Sequence, residues 1–503
     1  MVLVVFVGKP ASARRVICHK YSILPDNVFT MKKAITGFLF CLFLFQSVTS
    51  LAAIRLPAVI SSGMVLQQKS EARLWGWAAP DEKIIVTASW NNRTDSVVAN
   101  GNAVWEIKVP TPTAGGPYTI TLKGWNTIVL DNVLIGEVWV CSGQSNMEWS
   151  SYNNLKQILD EMPNSNNPSI RLFNIPKTTS PYPQDDCEAQ WKVSSPEALQ
   201  GFSAIGYFFG KKLQQQLNVP VGLINASWGG TPAEAWTPAE TVTKKTDLAE
   251  AAKKLNVSKW WPVEPGLAYN AMIYPVTRFA IAGTIWYQGE SNTGTAATYR
   301  ELFSDMIGAW RNRWQKEFPF YFVQIAPYTY GNNNIAALLR EQQSQTLASV
   351  PRTGMVVTTD LVDDIKNIHP TDKISVANRL ADWALAENYH QPVTYYKSPV
   401  FTRMESKDDK LVLFFDNAPN GFMTKGNAKP TEFFIAGDDK LFVPAEVKLE
   451  KDRLIVSSKQ VKKPVAVRFG FSNTAMPNLF SKEGLPVTPF RTDTWEVDTS
   501  TVK

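Results

Sequence analysis

The sequence predicts an α/β core flanked by β domains, and three observations carry that expectation. Near-continuous apolar runs recur at 133–141, 219–226, 281–287, 318–325 and 354–359, the pattern of strands buried on both faces of a parallel sheet. Helix-like stretches lie between them, as at 299–314, where Leu302, Met306, Ile307, Trp310 and Trp314 recur at a spacing of three to four, and at 374–387. On both sides of this region the texture changes to short alternating segments, which suit half-buried antiparallel strands. Strands that alternate with helices are joined by crossovers, so the central region is read as a mostly parallel sheet.

In chain order, residues 31–52 open with Met31-Lys32-Lys33, continue as the apolar run 38–45 and reach Ser50 and Ala52, small residues that fit a signal-peptidase site. The run is too short to anchor a chain across a bilayer. We therefore expect a signal peptide cleaved after Ala52 and an exported, periplasmic or extracellular protein without a transmembrane segment in its mature chain. Residues 1–30 are then expected to be an upstream extension from a start codon assigned too early. A β-sandwich is expected over 53–131, where Ala72-Arg73-Leu74-Trp75-Gly76-Trp77 and Lys83-Ile84-Ile85-Val86-Thr87-Ala88 alternate and Ala79-Pro80-Asp81 and Gly115-Gly116-Pro117 break the pattern. The α/β domain is expected over 132–393. A second β domain, with Lys410-Leu411-Val412-Leu413-Phe414-Phe415 and Val465-Ala466-Val467-Arg468-Phe469, closes the chain over 394–503.

Composition removes several classes of function. Apolar residues make up 44% and charged residues 19% of the 503, which excludes intrinsic disorder. The net charge of +6 resides largely in the first 52 residues, where Lys9, Arg14, Arg15, Lys20, Lys32 and Lys33 face Asp26 alone. The rest is nearly neutral, so no nucleic-acid partner is expected. Cys18 and Cys41 belong to the leader, and Cys141, inside an apolar run, is read as a free buried thiol, with a Cys141–Cys187 disulfide as the alternative. No CxxC or spaced Cys/His set appears, so no metal site is expected.

Ser142-Gly143-Gln144-Ser145-Asn146-Met147 follows the first buried strand, at the edge where a doubly wound sheet presents its ligands. Gly143 permits a tight turn there, and a helix starting at this point would aim free N–H groups at an oxyanion. Met147 departs from the G-x-S-x-G nucleophile elbow. Ser145 is thus a candidate nucleophile whose plain structural alternative is a helix N-cap. A serine nucleophile needs a base, and the chain has 3 histidines, of which His19 lies in the leader. His369, in Asn367-Ile368-His369-Pro370, follows the last predicted strand on the same sheet edge and is taken as the base; His390, at a helix end, is taken as structural. Two further strand ends carry Ser227-Trp228-Gly229-Gly230-Thr231 and Trp286-Tyr287-Gln288-Gly289-Glu290-Ser291-Asn292, whose backbone N–H groups and side-chain amides suit an oxyanion hole. Their plain alternatives are a turn and a helix-capping carboxylate.

Gly143-Gln144-Ser145-Asn146-Met147, Gly229-Gly230-Thr231, Trp286-Tyr287-Gln288-Gly289-Glu290-Ser291, Ile368-His369-Pro370 and, near the end, Gly484-Leu485-Pro486 and Pro489-Phe490-Arg491-Thr492 together resemble the sialate O-acetylesterase family of SGNH (GDSL-like) hydrolases. The resemblance implies a flavodoxin-like SGNH hydrolase core with flanking β-sandwich domains, acting without a cofactor on acetyl esters of carbohydrates. It assigns Ser145 as nucleophile, His369 as base, and Gly230 or its neighbour Gly229 with Gln288 as oxyanion donors. One departure stands out: relatives place an Asp two or three residues before the His, where this chain has Asn367 and Lys366. Three readings follow in order of preference: Asp364 (or its neighbour Asp363) folds back onto the imidazole, Asn367 orients it, or a main-chain carbonyl holds a Ser–His dyad.

The expected partner is an acetylated carbohydrate. Sialic acid, xylan and pectin esters are not separated by the sequence, and the oligomeric state is unreadable. A glycoside hydrolase is disfavoured because no carboxylate pair stands out at the strand ends. A non-catalytic glycan-binding protein is the rival from another class.

Overall fold

The computed structural model describes residues 53–331 and 334–497. The expected leader and upstream extension lie outside the described residues, as does His19.

The central sheet is built from β1 (Thr127–Gly143), β2 (Asn167–Asn174), β3 (Trp191–Ser194), β4 (Val221–Ser227), β5 (Gly283–Tyr287), β6 (Phe320–Val323) and β7 (Thr353–Val356). Their spatial order is β7-β6-β5-β1-β4-β2-β3. All neighbours pair in parallel except β3, which is antiparallel to β2. The five apolar runs became β1 and β4 to β7. The last eleven residues of β1 and all of β4, β5 and β6 are buried, because helices or the N-terminal sheets cover both faces. The pair β2 and β3 escaped the sequence reading, since Asn167-Pro168-Ser169 and Trp191-Lys192-Val193 carry no continuous apolar run.

Helices α1 (Ser145–Glu148), α2 (Ala204–Leu217), α3 (Tyr299–Trp314), α4 (Ile335–Ser349) and α5 (Lys373–Trp383) follow strands or loops of this sheet. On α3, Leu302, Phe303, Met306, Ile307, Trp310 and Trp314 form the buried stripe, and Gln315 ends the helix in the left-handed region at φ 54°. Burying each such side chain contributes about 1.5–3 kcal/mol, more than helix propensity supplies. A helix over 374–387 is realised as α5 followed by a wider turn over Ala384–Asn388. Asp372 caps α5, its Oδ1 accepting the Ser375 N–H at 3.0 Å, and this fixes where the helix begins.

The N-terminal β region is double-layered. Glu71–Trp77 pairs with Val104–Pro110, while Lys83–Ala88 lies between Arg93–Val98 and Gly115–Lys123. Leu74, Trp75 and Trp105 pack against Ile84, Val86 and Leu122, and the same apolar cluster runs on into the face of the central sheet that carries Val138, Val140 and Trp286. Gly115–Lys123 pairs directly with β1, so one strand of 17 residues serves both sheets. The expected boundary between 131 and 132 falls inside that strand. Towards the C-terminus, one sheet holds Val400–Lys407, Lys410–Asp416, Glu446–Leu449 and Arg453–Ser457, and another holds Phe433–Ala436 and Ala466–Phe469. Leu411, Leu413, Leu454 and Val456 of the first meet Phe433, Ile435, Val467 and Phe469 of the second. Cys141 and Cys187 are free, buried thiols, and burial raises both pKa values, that of Cys187 to about 12. No helix among the described residues is long and apolar enough to cross a membrane.

Candidate active site

The strand order reverses at β1, with β4 on one side and β5 on the other, so the loops leaving these strands diverge from a common crevice. Register brings Gly143, Ser227 and Tyr287 level at their C-terminal ends. Gly143 has φ 137°, and a Cβ on it would stand 2.2 Å from the Tyr287 carbonyl oxygen, so glycine is required for the turn after β1. Ser145 is the first residue of α1. The cap position belongs to Gln144, whose side chain makes no cap bond but accepts the Gly289 and Ser291 N–H groups at 3.2 and 3.3 Å. The chain after β1 is thereby tied to the chain after β5.

His369 arrives on the loop between β7 and α5, and its Nε2 lies 2.8 Å from Ser145 Oγ. Residues separated by 224 positions are thus in hydrogen-bond contact. The imidazole stacks on Trp149, with ring centroids 4.5 Å apart and planes at 28°. Burial, and after it the Lys373 ammonium, holds the imidazole pKa down at about 4 against an ordinary 6.5. A neutral imidazole is the form that can accept the serine proton.

The main-chain N–H groups of Ser145, Asn146 and Gly230 have no acceptor among the described residues. Gly229 lies alongside, its ideal Cβ position 3.3 Å from Ser145 Cβ, but its N–H is taken by Glu148 Oε2. Gly230 adopts φ 82° and is packed beneath the Trp261 ring, which a Cβ would meet at 2.3 Å. A cavity of about 360 Å³ opens from here, lined by Gly230, Trp261, Ser291, Thr293, Lys254 and Asn256. A larger cavity, of about 850 Å³, is lined by Tyr395, Tyr396, Asp416 and Asp452 and touches none of these residues. Among the described residues no cluster of three His, Cys, Asp or Glu side chains could hold a metal.

Other expected site residues are placed differently. Asp364 is exposed, and its Oδ1 accepts the Lys366 N–H at 2.9 Å; no bond or ion pair joins it to His369. Asp363 Oδ2 is turned to the Thr371 hydroxyl at 2.7 Å. The Asn367 side chain accepts the main-chain N–H of His369 at 3.0 Å, so it shapes the loop rather than holding the ring. Main-chain hydrogen bonding within this short turn outcompetes a carboxylate–imidazole contact. Gln288 is fully buried; its amide donates to Asn292 Oδ1 at 2.8 Å and the Thr231 carbonyl at 3.3 Å, while its oxygen accepts from Tyr299. That leaves it no donor for an oxyanion. His390 is exposed past the end of the wide turn and lines a cavity with Pro319 and Thr353, at the opposite ends of the strands.

Sequence reasoning passed over Trp149, Trp261 and Lys373. Lys373 carried no signal, because a lysine in the first turn of a helix ordinarily points to solvent. Here it is 1% exposed, with Nζ 2.6 Å from Asn146 Oδ1.

A reversing parallel sheet, with a serine on the turn after its central strand and a histidine delivered to it from the last, defines the class of SGNH-like α/β hydrolases. The model of the family described as "Carbohydrate esterase, sialic acid-specific acetylesterase" matches residues 135–386. The chain belongs to that family and is a carboxylic ester hydrolase. It is 29% identical to the human sialate O-acetylesterase over 389 residues, covering 70% of this chain and 74% of that one. It is 28% identical to the mouse sialate O-acetylesterase over 416 residues, 70% and 76% of the two chains. The crystal structure of a carbohydrate acetylesterase from Xanthomonas citri is similar at a TM-score of 0.81 and 37% identity, covering 88% of this chain and 100% of that one.

Proposed function

We propose that this protein is an exported esterase that removes O-acetyl groups from carbohydrates, with sialate esters first among its substrates, through an acyl-enzyme on Ser145. The observation that carries the reading is the 2.8 Å contact between Ser145 Oγ and a neutral His369 Nε2 beside unpaired N–H groups. His369 takes the serine proton as Oγ attacks the acetyl carbonyl. The N–H groups of Ser145 and Gly230 receive the oxyanion. As the carbon–oxygen bond to the sugar breaks, the proton passes from His369 to the departing sugar oxygen, which leaves as a hydroxyl, and a water activated by the same imidazole releases acetate. Among the described residues no carboxylate bonds the ring, so the pair acts as a dyad steadied by Trp149. No cofactor enters these steps.

The names of the relatives, the cavity beside Gly230 and the leader-like segment 31–52 support the substrate class and the export. The test is a panel of O-acetylated sialosides, xylan and pectin with released acetate measured. Release fastest from the sialosides is expected. A preference for xylan or pectin would correct the substrate, and no release from any of them, with no labelling of Ser145 by a fluorophosphonate, would leave a glycan-binding protein.

A further inference from the structure

Beneath the nucleophile lies a buried polar chain that the reaction steps above do not use. Asn146, the residue after Ser145, donates from Nδ2 to Glu290 Oε1 at 2.6 Å and to the carbonyl oxygen of Ile368 at 3.1 Å. Ile368 is the residue before His369. One side-chain amide therefore joins the loop of the nucleophile to the loop of the base. The other end of that amide, Oδ1, accepts from Lys373 Nζ at 2.6 Å. Asn146 and Lys373 are 0% and 1% exposed, and Glu290, 7% exposed, borders the cavity beside Gly230 with its Oε2 lacking any partner among the described residues.

Such an arrangement is expensive to keep. A buried ammonium loses its hydration, and Lys373 also sits at the first position of α5, where the helix dipole disfavours a cation. Its pKa falls to about 7 through burial, against which Glu290, Asp363 and Asp372 act. Burial likewise raises the pKa of Glu290. Well-packed apolar side chains at both positions together would often cost folding nothing, so stability alone does not account for the pair. What the chain accomplishes is alignment, because Asn146 can hold Ile368 and Glu290 only while its oxygen end is pinned by Lys373. The ammonium also lies 5.3 Å from the centre of the Trp149 ring, on which the imidazole rests.

We propose that Lys373, acting through Asn146 and Glu290, is a positioning residue that sets the Ser145–His369 alignment, the task a triad carboxylate would otherwise perform. The proposal rests on the Ser145–His369 reading above. Lys373 touches neither substrate nor the reacting atoms; it fixes the two loops and adds to burial in disfavouring the imidazolium. Of the charged groups in this neighbourhood, Lys373 disfavours the imidazolium directly, while Glu290, Asp363 and Asp372 act on Lys373.

The test uses Lys373→Met and Asn146→Ala in the full chain, with acetate release, pH profiles and thermal melting measured. A loss of about 10²-fold in kcat with KM within about threefold is expected from Lys373→Met, the size of effect that a misplacement of reacting groups by about 1 Å produces. The acid limb of its kcat/KM profile should move upward from about pH 4, because the cation that disfavours the imidazolium is gone. Asn146→Ala should lose kcat similarly, and the double variant should lose no more than the worse single variant, as for residues that act as one unit. Additive losses, or a fall in activity with the acid limb of Lys373→Met unmoved, would overturn the proposal. Should Lys373→Met fail to fold, Asn146→Ala decides through its kcat against KM. Fluorophosphonate labelling separates the two readings: a wild-type protein left unlabelled at Ser145 removes the serine mechanism, whereas variants labelled at the wild-type rate remove only the role of Lys373.

Discussion

The depressed basicity of His369 makes a prediction whose size follows from its surroundings. Trp149 covers one face of the imidazole at 4.5 Å, and the ring pKa is held at about 4 rather than 6.5, by burial first and Lys373 second. The wild-type kcat/KM profile should therefore reach half its plateau near pH 4. Trp149→Ala admits water to the ring and should move that limb towards 6.5. At pH 5 an imidazole of pKa 4 is ~90% neutral and one of pKa 6.5 ~3% neutral, so a full reversal costs about 30-fold in kcat/KM. Because Lys373 remains, the observed loss should fall short of that bound. At pH 8 both rings are neutral, so the ratio of activities at pH 5 and pH 8 isolates the titration from any loss of stacking. Acetate release, followed chromatographically across the pH range, reads both proteins on one substrate. The sign for stability agrees: the folded pKa lies below the unfolded one, so the neutral ring's contribution is present above pH 6.5 and lost as pH falls through about 4. A wild-type limb centred near pH 6.5, or a Trp149→Ala limb coincident with that of wild type, would refute the reasoning.

Ser145→Ala should lower acetyl-ester hydrolysis by about 10⁴-fold or more without shifting the melting curve, and His369→Ala should match it, while His390→Ala at the far sheet edge stays within about twofold; initial rates of the purified variants decide. Asp364→Asn is expected to keep kcat within about threefold, because its carboxylate bonds Lys366 and not the imidazole, against the roughly 10⁴-fold loss that a true triad acid would show. Asn367→Ala, which loosens the turn before His369, should cost about tenfold in kcat, visible in the same steady-state assay. Gly230→Ala places a Cβ 2.3 Å from the Trp261 ring at φ 82° and should displace its N–H, lowering kcat by about 10²-fold; activity within about threefold of wild type would exclude Gly230 from the oxyanion hole.

The amino-acid sequence alone determined the central parallel strands, because a strand covered on both faces is mostly apolar and β1, β4, β5 and β6 were written as near-continuous apolar runs. It also determined Ser145 and His369 as candidates, since a turn after the first buried strand and a single well-placed histidine leave few alternatives. Where a residue's role depends on what its side chain meets, local pattern was blind. Asp364 and Gln288 have the right chemistry for a triad acid and an oxyanion donor, yet a neighbouring backbone amide takes one and a buried hydrogen-bond network takes the other. Lys373 reads as a solvated helix-end cation and is instead buried against Asn146, the residue after Ser145. Only the tertiary structure decided these, because pattern does not say which way a side chain turns or what it meets: Asp364 turns to an amide 2 residues away, Gln288 to partners 4 to 57 positions away, and Lys373 to Asn146, 227 positions away.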